Sequence, residues 1–309
     1  MSEAPLHPLA EGPPGGFARW VRSLDGVRLR AAVWPQGDRG TVLLFPGRTE
    51  YVEKYGRAAA DLAARGYASV AIDWRGQGLS DRALADPLTG HVGDFAEYQL
   101  DIQAMLGLVA SAGLPQPLYL LSHSMGGCIA LRALHRGLEV RAAAFCAPMW
   151  GLRLKPATRI VAQQLAAMSR LFQQSHRYAP GTSRFSYMTD AGFEGNVLTT
   201  DPEMFAWMKA QVAAVPELGL AGPSLGWLHA ALVECRTLAA RRSPALPAFC
   251  AVGSAERVVD PAAIHSRMAD WPGGTLSVVQ GAEHEILMET PAIRCGFLDS
   301  ATALFGANR

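Results

Sequence analysis

Six short runs of apolar residues recur along the chain, at 41–45, 68–72, 117–121, 142–146, 248–252 and 275–279. They are apolar throughout, so each predicts a strand covered on both faces, as in a parallel sheet. Longer segments with helix-compatible spacing lie between them and predict helices over 51–64, 95–111, 126–138, 261–269 and about 291–304. Strand followed by helix, repeated, predicts a doubly wound α/β fold with a mostly parallel central sheet. Upstream, residues 18–34 alternate around Asp25-Gly26, which predicts an antiparallel hairpin leading into the sheet.

The alternation stops between about 151 and 241, where no buried strand is recognisable. Aromatic residues, among them Phe172, Phe205, Trp207 and Trp227, are mixed there with methionine, proline and glycine. This predicts a helical subdomain with a small core of its own. Inserted after a central strand, it would sit beside the C-terminal strand ends, where open α/β sheets place ligands, and could line an apolar pocket.

Composition narrows the classes. A length of 309 residues allows a large core, and a net charge of +1 provides no electrostatic footing for nucleic acid. Half the residues are hydrophobic (50%), yet no run approaches the roughly 18 apolar residues of a membrane-spanning helix. Residues 1–16 are rich in proline and glycine, with no basic region followed by an apolar core, and read as a flexible arm and not a signal peptide. The five cysteines are odd in number and lack metal-ligand spacing, so they read as reduced, mostly buried thiols, in keeping with a cytoplasmic location.

The candidate chemistry centres on Ser122-His123-Ser124-Met125-Gly126-Gly127, which follows an apolar run and precedes a helical one. A serine on a sharp strand-to-helix turn projects its hydroxyl, and small neighbours let the two backbones approach. Ser122, in the first small position of the usual G-x-S-x-G pattern, keeps the size. Ser124 is therefore the candidate nucleophile. Its base is expected on a loop at the same sheet edge, and His284, just beyond the last strand, fits best. His123 suits a wall or packing position, while His91 and His229 remain open as pocket residues. The acid is expected after the preceding strand, where Glu256 lies closer to the strand end and Asp260 is the alternative. Asp260 precedes Pro261 and a helical run, so it also reads as a helix N-cap. Two N–H groups should hold an oxyanion: that of Met125, next to the nucleophile, and by position that of Arg48, after the 41–45 strand. The order Ser124, Glu256, His284 is the serine–acid–histidine order of α/β-hydrolases.

With these residues stand Pro46-Gly47-Arg48-Thr49-Glu50, the Asp73–Ser80 loop, Gly253-Ser254-Ala255-Glu256 and Gly281-Ala282-Glu283-His284. Together they resemble the bacterial lysophospholipases and monoacylglycerol lipases of the α/β-hydrolase fold, over most of the chain. The resemblance implies an α/β-hydrolase core of residues 17–150 and 242–309, with 151–241 as a helical cap over the active site. It implies hydrolysis of carboxylic esters through an acyl-enzyme, with no metal or organic cofactor. An apolar cap suits a single acyl chain, hence a small amphiphilic lipid ester as partner and transient contact with the inner membrane face. The Asp73–Ser80 loop reads as structural, with Arg75 tying loops together. The family's acid is usually Asp, so Glu256 is a departure. The same fold and triad also serve carboxylesterases, thioesterases and aminopeptidases, and some chains of this fold only bind ligands.

Overall fold

The computed structural model describes residues 1–154 and 160–309 in full, and the backbone alone of 156–159. Nine strands form one sheet: β1 (Ser2–Ala4), β2 (Phe17–Arg22), β3 (Arg28–Trp34), β4 (Thr41–Phe45), β5 (Ala68–Asp73), β6 (Leu118–His123), β7 (Ala143–Cys146), β8 (Ala248–Gly253) and β9 (Gly274–Val279). Their spatial order is β1-β2-β3-β5-β4-β6-β7-β8-β9. The pairs from β1 to β5 are antiparallel, and every pair from β5 to β9 is parallel. The six apolar runs are β4 to β9, and the hairpin around Asp25-Gly26 is β2 and β3. Register aligns Phe45 with Ser122, His123 with Cys146 and Gly253 with Val279. The loops leaving β4, β6, β8 and β9 therefore emerge at one edge of the sheet.

Both faces of the sheet are covered. One core cluster packs α2 (Tyr98–Ser111), α3 (Met125–His135), α7 (Leu225–Ala239) and α8 (Pro261–Ala269) on it through residues such as Ile102, Ile129, Trp227 and Ile264. The other packs α1 (Gly56–Ala64), α6 (Pro202–Ala214) and α9 (Pro291–Ala307) through Leu62, Met208 and Leu298. The helices expected at 51 and 95 each begin with a 3-10 turn, Val52–Tyr55 and Phe95–Glu97. The second is fixed by a capping box between Asp94 and Glu97. The helix expected to reach 138 ends at His135, where Gly137 adopts φ 88°.

Residues 151–241 contribute α4 (Pro156–Leu171), α5 (Tyr187–Asp190), α6 and α7; isolated β-bridges join Pro223 to Gly90 and Leu152 to Val259 of the core, and Tyr178 to Ser224 within the segment. Among the described residues, no helix is long and apolar enough to cross a membrane.

The N-terminal arm departs from expectation. β1 pairs with β2, the buried Arg30 donates to Pro5 O at 3.1 Å, and Gln211 donates to Leu9 O at 2.8 Å. Its proline and glycine content signals little side-chain core, but its backbone acceptors are satisfied by polar groups of the body. Arg75 does tie loops together, pairing with Asp25, Glu97 and Asp101.

Candidate active site

Ser124 stands between β6 and α3 with φ 49° and ψ −117°. Positive φ is costly for a residue with a side chain and persists only where surrounding bonds dictate it. Here they do: Ser124 N donates to Cys146 O at 3.1 Å, while Ser124 O accepts from Met149 N at 2.8 Å and Gly127 N at 2.9 Å. Gly126 is required by close approach, since a Cβ there would collide with Phe45 O and Pro46 O. The elbow is thus pressed against the loop that follows β4.

His284 lies on the loop after β9. Its backbone N donates to Val197 O at 3.3 Å, and the next residue, Glu285, donates to Leu198 O at 2.8 Å, so the insert holds this loop. His284 Nε2 is 2.9 Å from Ser124 Oγ, and its Nδ1 is 2.7 Å from Glu256 Oε2. With Nδ1–H donating to the carboxylate, Nε2 presents its lone pair to the serine hydroxyl. The other Glu256 oxygen, Oε1, accepts from the N–H groups of Val258 (2.6 Å) and Val259 (2.9 Å). Burial alone would raise the Glu256 carboxyl. The hydrogen bond and charge of His284 and these two N–H groups outweigh it and hold the carboxyl below its ordinary value. Gly253 lets the two loops meet, because a Cβ there would strike Ala282 O and Glu283 O.

Of the two candidate acids, then, Glu256 is the one that comes to His284. Asp260 caps α8, its Oδ1 accepting from Ala262 N at 3.1 Å, with Pro261 as first helical residue. Met125 opens α3, so its N–H lies in the first turn, where a helix has no internal acceptor. Arg48 lies in the loop beside it. That loop is fixed by Trp74 Nε1 on Pro46 O (2.9 Å) and Gln77 Nε2 on Gly47 O (2.8 Å). Ser124, Glu256 and His284 are 7%, 4% and 3% exposed, so the constellation is sheltered.

Behind it lies a buried ionic cluster that sequence reasoning missed. Lys54 Nζ bridges Glu50 Oε1 (2.8 Å) and Glu285 Oε1 (2.7 Å). Glu50 Oε2 accepts from Gly47 N and from Tyr55 OH, the latter at 2.6 Å. Burial would raise Glu50, but Lys54 above all pulls its carboxyl down to about 2. Glu285 goes the other way, raised by burial against the pull of Lys54, and its Oε2 has no partner among the described residues. His123 lies beside them, its ring 4.7 Å from that of His284 and its Nδ1 3.1 Å from Cys146 O. Burial holds it neutral, pushed down to about 4. The ligand atoms of Glu50, His123 and Glu285 fall within 4.8 Å of one another, but Lys54 already supplies the cation between the carboxylates. The available signal was Glu50 and Lys54 four residues apart, flanked by Tyr51 and Tyr55. His91 bonds Ser224 of the insert through Nδ1 at 2.7 Å, and His229 lines a separate cleft between α4 and α7.

A family model described as "Serine aminopeptidase, S33" matches residues 36–291. Lysophospholipase L2 of Escherichia coli K12 is 33% identical over 289 residues, covering 90% of this chain and 83% of that protein. A probable lysophospholipase L2 of Haemophilus influenzae is 28% identical over 301 residues, covering 96% and 93%. Among solved structures, a soluble variant of monoglyceride lipase from Saccharomyces cerevisiae superposes with a TM-score of 0.68 at 23% identity, over 92% of this chain and 93% of that one. A carboxyl esterase from Bacillus coagulans superposes with a TM-score of 0.72 at 15% identity, over 95% and 100%. The chain has the α/β-hydrolase fold and belongs to the serine aminopeptidase S33 family, in the group that contains lysophospholipase L2.

Proposed function

We propose that the chain is a serine hydrolase that cleaves the carboxylic ester of single-acyl lipids, lysophospholipids or monoacylglycerols, through Ser124, His284 and Glu256. The observation that carries this reading is the unbroken hydrogen-bond chain from Ser124 Oγ through His284 to Glu256, at 2.9 and 2.7 Å. Ser124 attacks the ester carbonyl while Nε2 of His284 takes its proton. The charged imidazolium is stabilised by Glu256. The N–H groups of Met125 and Arg48 hold the tetrahedral oxyanion. His284 then protonates the departing alcohol, leaving an acyl-enzyme on Ser124. Water, deprotonated by the same histidine, attacks that ester, and collapse returns the serine and releases the fatty acid. Residues of this chain suffice for every proton transfer in the sequence.

Residues 151–241 serve as a cap on this site. The contacts of Val197 and Leu198 with the His284 loop support that reading, as does the small exposure of Ser124. The cap is also the part that touches lipid. Val161, Met168 and Leu171 on α4 are 62%, 52% and 81% exposed, which suits transient contact with the surface where an amphiphilic substrate resides.

The test is a panel of lysophospholipids, monoacylglycerols and p-nitrophenyl esters of graded chain length, with an aminoacyl amide added because of the family's description. The lipid esters should turn over, and a fluorophosphonate probe should label Ser124. Ser124→Ala should lose roughly three or more orders of magnitude in turnover. Turnover of the amide alone, or a folded Ser124→Ala enzyme near wild-type rate, overturns the reading.

A further inference from the structure

The ester chemistry uses the backbone of Arg48 and leaves its side chain without a role. The guanidinium is wedged between the loop after β4 and the insert. Nη2 donates to Ala221 O, the group lies 5.4 Å over the Trp227 ring, and a Cβ on Gly90 would sit 2.6 Å from Nη2. Nε is buried with no acceptor. Burial pulls the group down to about 10, with only Tyr98 and Tyr178 acting in the opposite sense, so it is a cation at neutral pH with no carboxylate among the described residues to balance it.

Other sheltered cations of the molecule are better satisfied. Arg30 meets Glu53 and Asp73, and Lys54 meets Glu50 and Glu285. Arg82 bonds the carbonyls of Gly76, Gly78 and Glu217. Arg267 bonds the carbonyls of Arg241 and Leu238 and the hydroxyl of Ser243. Arg48 has one carbonyl and an orphaned donor, and it sits at the reacting end of the molecule.

We propose that the Arg48 guanidinium receives the phosphate of the substrate head group, and so favours a monoacyl glycerophospholipid over a neutral monoacylglycerol. This rests on the reading above, that Ser124 attacks the ester of a single-acyl lipid. Arginine matches phosphate oxygens with paired N–H donors and sheds hydration more readily than lysine. Spacing agrees. The guanidinium of an extended arginine lies roughly 6–7 Å from its own backbone nitrogen, and a glycerol places phosphorus roughly 6–8 Å from the ester carbonyl. One residue can then hold the ester oxygen with its N–H and the phosphate with its side chain. The substrate supplies the counter-charge that the chain lacks.

The experiment compares kcat/KM for 1-acyl lysophosphatidylglycerol and 1-monoacylglycerol of the same chain length, in wild type, Arg48→Lys and Arg48→Met. The two substrates share acyl chain, ester and oxyanion contacts, so a disturbed Arg48 backbone lowers both rates and cancels in their ratio. Wild type should prefer the phospholipid, Arg48→Met should lower the ratio at least tenfold, and Arg48→Lys should fall between. A ratio unchanged in Arg48→Met means that the side chain only clamps the insert, and overturns the assignment. So does a wild-type enzyme that prefers the neutral lipid, which needs no variant to fold. If wild type turns over neither lipid while cleaving p-nitrophenyl esters, the substrate class itself has failed, and this assignment with it.

Discussion

Two helices, α3 in the core and α4 in the insert, use their apolar residues differently, whereas α6 and α7 of the insert pack on the sheet as core helices do. Helix α3, in the core, buries Met125, Ile129 and Leu131 completely. Helix α4, in the insert, turns small residues inward, with Ala166 and Ser169 buried, and leaves Val161, Met168 and Leu171 in solvent. Burying a large aliphatic side chain stabilises by about 1.5–3 kcal/mol, so α4 forgoes a contribution that α3 takes in full. The core therefore spends its apolar residues on holding a catalytic geometry. Those of α4 remain available for something outside the molecule.

The comparison is broken most severely by disturbing the core side. Glu256→Gln keeps the size but removes the charge and offers an N–H where His284 Nδ1–H needs an acceptor. Turnover should fall by roughly two to four orders of magnitude, by analogy with other triad acids. Because its carboxyl is held below the ordinary value, Glu256 stabilises the fold above the usual glutamate range, a contribution lost as pH falls through the lowered value. The variant should thus lose stability at neutral pH as well as rate, and its stability should fall less than that of wild type on acidification. Asp260→Asn should keep nearly full turnover, since asparagine caps a helix about as well as aspartate. Steady-state kinetics on one soluble ester decide it: a dead Asp260→Asn beside an active Glu256→Gln means the acid is misassigned.

How much of this could be read from the chain depended on distance along it. The β4 to β8 runs were legible because strands buried on both faces need no pattern beyond being apolar, whereas β9, expected to be covered on both faces, is an edge strand that leaves Thr275 and Val278 exposed. The elbow was legible because Gly126 and Gly127 mark a close approach. Glu256 and Asp260 share one loop, and only the three-dimensional path of the His284 loop separates them. The Lys54 bridge to Glu285 spans 231 positions and leaves no local trace. Helix α4 misleads in another way: its apolar residues look like core, but its inward face is small. The docked N-terminal arm was hidden for a related reason, since it is held largely through its own backbone groups, which side chains distant in sequence, Arg30 and Gln211, engage.

The Lys54 cluster gives the next largest effect, on stability. Lys54→Met leaves two carboxylates buried without their cation and should cost about 3–5 kcal/mol in a denaturant melt. The two carboxylates should then differ in sign. Glu50, pulled down to about 2, stabilises at any pH above the ordinary glutamate range and loses this as pH falls toward that value. Glu50→Gln should destabilise by about 1–3 kcal/mol at neutral pH. Glu285 is raised, so its protonated form favours the fold and its contribution fades as pH rises. Glu285→Gln should be close to neutral in stability at pH 7. Equal losses in the two glutamine variants would show that the cluster acts as a symmetric pair, contrary to the orphaned Glu285 Oε2.

The smallest effect belongs to the insert and tests the other half of the comparison. If the exposed face of α4 meets lipid, replacing Val161, Met168 and Leu171 together with serine removes apolar area that is already in water. The free protein should lose almost no stability, whereas similar truncations at Ile129 or Leu131 in α3 would cost several kcal/mol each. Partition onto sedimented phospholipid vesicles should fall by roughly tenfold, less than full burial of three side chains would imply, because an interfacial helix inserts only its outer face. The ratio of turnover on vesicle-presented substrate to turnover on a dissolved short-chain ester should fall with it. Unaltered vesicle binding and an unaltered ratio would return α4 to the role of a structural cover. A drop in melting temperature as large as that from the α3 truncations would mean that these side chains are packed in solution, and that core and insert differ less than their exposures indicate.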